Sequence, residues 1–170
     1  MKPLFVIDLD GTIADNTHRE FLIQGPNPDW DAFHSLELMN RDKPIEVAQA
    51  HFEGGRFKYG DHIFLTGRTL PRDNFILLYP WLGRHGFMPP GNEHHRVTVT
   101  GKPMTIRTQR SRIFKVDALR SWAKYQYRTR KLICIDNHEP NLAAMSEAGF
   151  TTVKAPECWS FSPEQWKELI

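Results

Sequence analysis

Residues 5–13 read Phe-Val-Ile-Asp-Leu-Asp-Gly-Thr-Ile, and this stretch decides the fold. Its apolar run predicts a buried strand ending at Asp8 and Asp10, where Gly11 permits a sharp turn. Open α/β sheets bind their ligands at the carboxyl ends of their strands, where both carboxylates would lie. Two acids this close repel each other unless a cation lies between them, and such oxygen ligands suit Mg²⁺. The alternative is a solvated turn after an edge strand, because turns favour aspartate.

Length and composition are those of an ordinary globular protein. The chain has 170 residues, which predicts a single domain over residues 1–170 with one sizeable core. No apolar run approaches a membrane span, and we find no secretion signal. Cys134 and Cys158 are too few for a disulfide framework. We therefore expect reduced thiols in a cytoplasmic protein with no membrane partner.

Positive charge is concentrated in one part of the chain. The net charge is only +2, yet residues 84–131 contain twelve lysines and arginines and only two acids, Glu93 and Asp117. A basic block beside an acidic metal site indicates a polyanionic substrate. The alternative is that these side chains form an ordinary solvated face.

Predicted strands and helices alternate along the sequence. Short apolar runs predict strands at 62–65, 132–135 and 150–153, and helices are expected at 75–81, 111–125, 139–148 and after a capping box at 162–165. This alternation predicts an α/β fold: a three-layer α/β/α sandwich around a mainly parallel, Rossmann-like sheet. A parallel sheet would bring Asp8, Asp10, Thr66 and Asp136 to the same edge, because each follows or ends a predicted strand.

Other segments have weaker patterns. Residues 14–29 are polar and predict a loop, and the spacing from Trp30 to Leu38 predicts one helix with Trp30 and Phe33 in the core rather than in a base-stacking platform. Pro44 is expected to start a second helix that reaches residue 52 with Val47 facing inward. Residues 97–108 predict a hairpin or an insertion before a sheet strand.

Four motifs, in the expected order, resemble those of the haloacid dehalogenase (HAD) superfamily of phosphatases. Residues 8–12 resemble motif I, residues 65–68 resemble motif II, Lys115 at a helix start fits motif III, and residues 135–137 resemble motif IV. The resemblance spans about residues 4–153. It implies an HAD-like fold, and the short stretch between motifs I and II implies a minimal cap and an open site that admits large substrates.

The resemblance also implies a reaction: hydrolysis of a phosphate monoester through an aspartyl-phosphate intermediate. Asp8 would be the nucleophile, and Asp10 would protonate the leaving oxygen and then activate water. Thr66 and the Gly67 backbone N–H would hold phosphoryl oxygens. Lys115 would neutralise charge on the phosphoryl group and on Asp8.

A bound Mg²⁺ ion is part of the same expectation. Asp8, Asp136 and the backbone carbonyl of Asp10 would hold it and so reduce repulsion between nucleophile and phosphate. Asn137 departs from the family pattern, which often has a second aspartate there, so the metal site would be one charge poorer.

Within the superfamily, the chain is most similar to the 3′-phosphatase domains of phage polynucleotide kinase-phosphatases. The likeness is carried by residues 42–44, by the basic approach to Lys115 and by residues 157–159. It implies a substrate that is a nucleic-acid 3′ end or a nucleotide, and a role in nucleic-acid repair. Four arginines would then contact the substrate: Arg68, Arg107, Arg110 and Arg112.

Three other functions remain open. One is an HAD phosphatase that acts on a small phosphate ester. Another is a non-catalytic phosphoacceptor such as a receiver domain of two-component signalling. Receiver domains, however, carry their acceptor Asp on a middle strand and their Lys on a strand, whereas here the acids lie at the first predicted strand and Lys115 lies on a predicted helix. The third is a nucleic-acid-binding subunit that has lost catalysis, which Asn137 would explain.

Overall fold

A five-stranded, all-parallel sheet forms the centre of the molecule. It is seen in a computed structural model that describes residues 2–69, 78–89, 98–103 and 109–170. The strands are β1 (Leu4–Ile7), β2 (Ala14–Asp15), β3 (Lys43–Pro44), β4 (Phe52–Glu53), β5 (Arg56–Phe57), β6 (Asp61–Thr69), β7 (Val99–Lys102), β8 (Leu132–Asp136) and β9 (Thr151–Lys154). The central sheet has the order β7-β6-β1-β8-β9. The prediction of an α/β fold with a parallel sheet is therefore confirmed.

Strand β1 occupies the middle of this sheet. Its residue Leu4 pairs with Asp61 of β6 on one side and with Leu132 of β8 on the other. All four residues of β1 are buried, as expected for a parallel strand covered on both faces. The two acids that follow β1 therefore lie at the centre of the carboxyl edge, which excludes the alternative of a turn after an edge strand.

Helices pack against both faces of the sheet. They are α1 (Trp30–Phe33), α2 (Leu36–Met39), α3 (Glu46–Gln49), α4 (Leu78–Arg84), α5 (Ser111–Ser121), α6 (Glu139–Glu147) and α7 (Pro163–Glu168), with 3₁₀ turns at Thr17–Leu22 and Glu157–Ser160. Phe5 and Ile7 of β1 face the cluster that contains α4 and α7 residues. Leu4 and Val6 face the cluster that contains α5 and α6 residues. Each such side chain contributes about 1.5–3 kcal/mol when fully buried.

The second half of the chain follows the sequence prediction closely. Strands β8 and β9 and helix α6 begin and end within one residue of the predicted limits. Gly149 adopts φ +89° just after α6, the conformation that ends many helices. The capping box is also confirmed, because the Ser162 and Gln165 side chains each bond the other's backbone N–H. Both cysteines are buried and free.

The segment between β1 and β6 differs from the prediction. Residues 14–29 are not all loop, since they contain β2 and a 3₁₀ turn. The single helix expected from Trp30 to Leu38 is two short helices. The second begins at Leu36, because the Ser35 side chain accepts a hydrogen bond from the Leu38 N–H and so caps a new helix. Phe33 is buried as predicted, but Trp30 is 51% exposed and so is not a core residue.

The helix predicted from Pro44 is also wrong in extent. Pro44 pairs with Ala14 in the β2–β3 ribbon, and α3 covers only Glu46–Gln49. Val47 is 56% exposed, whereas Phe52 begins the small β4–β5 ribbon. The chain between β1 and β6 thus contains short helices and two-residue ribbon strands.

Three limits in the basic half also need correction. Val99–Lys102 forms the strand β7, which pairs in parallel with β6, and the other residues of the predicted hairpin or insertion that include 104–108 lie outside the described residues. The helix predicted at 75–81 extends to Arg84 as α4, and residues 75–77 of that prediction lie outside the described residues. The helix predicted at 111–125 is α-helical only as far as Ser121, the end of α5, and a π-helical turn follows over Trp122–Gln126. In the described ranges, we find no helix with the length and apolarity needed to cross a bilayer.

Candidate active site

Most of the predicted site residues that the structure describes meet at the carboxyl edge of the central sheet. A cavity of about 850 Å³ opens there, and its wall includes Asp8, Asp10, Gly67, Arg68 and Lys115. A larger cleft of about 1010 Å³ lies at the opposite edge, around the first residues of β1 and β6. Of the predicted site residues that the structure describes, none lines that second cleft.

A buried lysine joins two carboxylates on the cavity floor. Lys115 Nζ lies 2.7 Å from Asp8 Oδ1 and 2.6 Å from Asp136 Oδ2. Asp136 is held further by the His138 backbone N–H, 2.8 Å from its Oδ1, and by Asn141 Nδ2, 3.1 Å from its Oδ2. Because Phe114 and Val116 bury the same turn of α5, the Lys115 side chain is fixed against the sheet.

The charges on this floor are strongly coupled. Burial raises the pKa of Asp8 to about 7 against the lowering effect of the Lys115 ammonium, and Asp136 and Asp10 make smaller raising contributions. Burial alone would lower the pKa of Lys115, but Asp8 and Asp136 together raise it above its usual range. Lys115 therefore stays cationic, and it is the internal counter-ion of the two carboxylates.

A second network holds Asp10. Arg19 Nη2 donates to Asp10 Oδ1 at 2.6 Å, and Arg68 donates to both Asp10 oxygens at 2.7 and 2.8 Å. The same two guanidinium groups also donate to Asp42, Arg19 at 2.8 and 2.7 Å and Arg68 at 2.9 Å. Arg19 is completely buried, and its Nη1 donates to the Phe33 carbonyl at 2.7 Å.

This network sets the ionisation of Asp10. Burial would raise the pKa of Asp10, but Arg68 and then Arg19 hold it well below its usual range. Asp10 is therefore ionised at neutral pH, two residues from Asp8, whose pKa is shifted in the opposite direction. Pairs of titratable groups shifted apart in this way are typical of sites that use them for different proton tasks.

The end of β6 approaches the start of α5 very closely. Thr66 is fully buried, and its hydroxyl accepts from the Arg68 N–H at 3.2 Å. A Cβ at Gly67 would lie 2.1 Å from Ser111 Oγ, so only glycine fits there without a shift. This contact holds the strand end beside the helix that carries Lys115.

Asn137 is tied to the turn after β1. Gly11 has φ +71°, and a Cβ there would lie 2.2 Å from Asn137 Nδ2. Thr12 Oγ1 also lies 3.4 Å from Asn137 Oδ1. Within the described residues, no three His, Cys, Asp or Glu side chains converge enough to hold a metal ion by themselves.

The predicted arginines are placed unevenly. Arg68 is only 3% exposed, so it is not a surface residue, and its guanidinium is committed to two carboxylates. Arg110 is exposed on the cavity wall, at the N-cap of α5. Arg112 is half-buried on α5 and does not line the cavity. Arg107 lies outside the described residues.

Several cavity or network residues were not predicted as part of the site. These are Arg19, Trp30, Asp42 and Lys102. Residues 42–44 carry part of the family likeness, which was a signal for Asp42, but Arg19 lies in a 3₁₀ turn with no periodic pattern.

The fold and the site together define an α/β protein whose buried acid-lysine-acid group lies at the carboxyl edge of a parallel sheet. A scan of known protein-family models finds no match to this chain, and a search of curated proteins finds none either. The function is therefore inferred from the site's own residues.

Proposed function

We propose that this chain is a Mg²⁺-dependent phosphomonoesterase of the HAD type that works through an aspartyl-phosphate and acts on a nucleic-acid 3′ end or a nucleotide. The observation that carries the proposal is the cavity floor. Asp8 lies there beside the Lys115 ammonium, and Asp10 is held two residues away in a separate ion-pair network.

In the first step, an Asp8 carboxylate oxygen attacks phosphorus. A bond forms between that oxygen and phosphorus, while the bond from phosphorus to the leaving alcohol oxygen breaks. Lys115 suits this step because its ammonium lies 2.7 Å from Asp8 Oδ1 and neutralises charge that would repel the phosphate. In the family mechanism the leaving oxygen takes a proton from Asp10, which must first gain that proton from solvent because Arg19 and Arg68 hold its carboxyl ionised.

In the second step, water attacks phosphorus and the bond to Asp8 breaks, which releases inorganic phosphate. Asp10 accepts the proton of that water. The ion pairs to Arg19 and Arg68 keep Asp10 ionised, which suits this base step more directly than the acid step.

The donor set suits a magnesium ion. Asp8 and Asp136 would hold it, because Mg²⁺ commonly takes one or two protein carboxylates and completes its shell with water and substrate phosphate. Both carboxylates already converge on one cation, the Lys115 ammonium. When bound, Mg²⁺ supplies charge neutralisation for the attack on phosphate.

The cavity wall supports a nucleic-acid or nucleotide substrate. Lys102 and Arg110 give it positive charge, and the half-exposed Trp30 offers an indole face on the same cavity. Exposed aromatic faces in nucleic-acid-binding proteins bind nucleobases by stacking, while cationic side chains contact the phosphates. A small phosphate ester without a base would not use the indole face.

The test is phosphate release by the wild-type chain, Asp8→Asn and the matched control Asp61→Asn, which changes an exposed acid at the opposite edge of the sheet. We expect Mg²⁺-dependent turnover of a 3′-phosphorylated oligonucleotide by wild type and control, and none by Asp8→Asn. Turnover by Asp8→Asn near the wild-type rate would refute the proposal.

The substrate panel and intact-chain mass spectrometry distinguish the other candidates. Preference for a sugar phosphate over the oligonucleotide would favour the small-ester phosphatase. A stable phosphoryl adduct without turnover would indicate a phosphoacceptor. Oligonucleotide binding without adduct or turnover would indicate a non-catalytic subunit.

A further inference from the structure

Lys102 is a buried cation with no acidic partner in the described part of the chain. It is the last residue of β7, where it pairs with Thr69 of β6 at the carboxyl edge. Its residue surface is 7% exposed, and within the described ranges its ammonium donates one hydrogen bond, to the Gln109 carbonyl at 2.9 Å. Buried lysines are normally paired with a carboxylate, because an isolated buried charge is costly.

The described surroundings of Lys102 give no alternative reason for its charge. Burial lowers the pKa of Lys102, and no acid among the described residues acts against that shift. The adjoining residues 104–108 contain no acid in the sequence. By contrast, each of Lys115, Arg19 and Arg68 is paired with two carboxylates.

Lys102 lines the same cavity as Asp8 and Lys115, and Arg110 adds a second cation to that wall. Among the described residues, the acids of the wall outside the reaction centre are Asp29 and Asp31, which flank Trp30 in the sequence. Charge on the cavity wall is therefore divided: a cationic side at β7 and the start of α5, and an acidic side around Trp30. An anion that enters the cavity is attracted to the first side and repelled from the second.

We infer that Lys102, with Arg110 at the rim, binds a second phosphate of the substrate, so that the preferred substrate carries one phosphate for hydrolysis and another for recognition. This rests on the proposed function. In a nucleic-acid 3′ end, the second group is the phosphate on the 5′ side of the terminal nucleoside. The acidic side around Trp30 then takes the uncharged base.

The experiment measures binding rather than turnover. Asp8→Asn serves as the background in which substrate stays intact, and calorimetry gives its affinity for thymidine 3′,5′-bisphosphate and for thymidine 3′-monophosphate. These two ligands differ only in the second phosphate. The test protein carries Lys102→Met in this Asp8→Asn background. The matched control carries Lys167→Met in the same background, which removes an exposed lysine from α7.

We expect Lys102→Met to weaken bisphosphate binding by roughly 10- to 100-fold, the range for a charge-assisted contact, and to weaken monophosphate binding much less. Lys167→Met should change neither affinity. Lys102→Arg should keep most of the preference for the bisphosphate, since it keeps the positive charge. Thermal melts show whether each variant is folded.

Two results overturn the inference. One is that Lys102→Met and Lys102→Arg both weaken the affinity for the two ligands equally, or that neither variant weakens it. The other is that Lys102→Met weakens binding of phosphoglycolate, whose second anionic group is a carboxylate, but does not weaken binding of the bisphosphate. Failure of the proposed function is recognised separately, because wild-type protein would then release no phosphate although the binding preference persists.

Discussion

Removal of the Arg19 guanidinium should destabilise the whole chain. In Arg19→Met, the buried Asp42 carboxylate loses two hydrogen bonds, of 2.8 and 2.7 Å, and Asp10 loses one of 2.6 Å. Methionine fills much of the vacated space, so the dominant change is a buried carboxylate with fewer cationic partners. Arg68 still contacts both acids, which limits the loss.

The expected cost is about 3 kcal/mol in the free energy of unfolding. Breaking a buried ion pair by removing one partner costs roughly 3–5 kcal/mol, and the remaining Arg68 places this case at the lower end. Neutralising the acid as well, in Arg19→Met/Asp42→Asn, should return part of that loss. Contacting residues of one network are typically coupled by about 0.5–3 kcal/mol.

Urea unfolding of the four proteins of this double-mutant cycle gives both quantities. The matched control is Arg41→Met, which removes an exposed arginine beside Asp42 in the sequence and should change stability by no more than about 0.5 kcal/mol. Equal midpoints for Arg19→Met and Arg41→Met would refute the reasoning, as would a strictly additive double mutant.

Three further predictions concern the site and its supports. Asp10→Asn should lower kcat for phosphate release at least ~10²-fold, because a positioned acid-base group is lost; a wild-type rate would exclude that role. Gly67→Ala should reduce the free energy of unfolding by about 1–3 kcal/mol through its contact with Ser111, and Ser111→Gly in the same chain should restore part of it in urea melts. Burial lowers the pKa of His62 to about 4, below the unfolded value of 6.5, so the unfolded chain takes up that proton first and stability falls as pH drops from 6.5 to 4. The loss should be about 3 kcal/mol greater than in His62→Phe when unfolding is followed across that pH range, and parallel pH profiles would contradict it.

The parts of the fold that the sequence predicts well are those where local pattern and burial agree. Strand β8 is a continuous apolar run that ends in Asp136, and α6 is bounded by Gly149 with φ +89°. The segment from Trp30 to Phe52 is predicted poorly because its local pattern is too short to be recognised. Its helices are only four residues long, too short for a 3.6-residue period to be distinguished from chance.

The candidate site divides in the same way. Asp8, Thr66 and Asp136 could be predicted because each lies at the end of an apolar run, and the topology brings such ends together. Arg19 could not, since its role depends on a tertiary contact between a 3₁₀ turn and the loop that holds Asp42, and for Asp42 the one signal was the family likeness of residues 42–44. A buried lysine such as Lys102 is also indistinguishable in sequence from the exposed lysines around it.

The shared guanidinium network also has a consequence for how this sequence can change over evolutionary time. Arg19 and Arg68 each serve both Asp10 and Asp42, so loss of any one of the four charges leaves a buried imbalance on the other three. Single replacements should therefore be removed by selection even where catalysis is not needed. In any homologue that lacks one of these residues, we expect a compensating replacement in the same group of four, so these positions should covary.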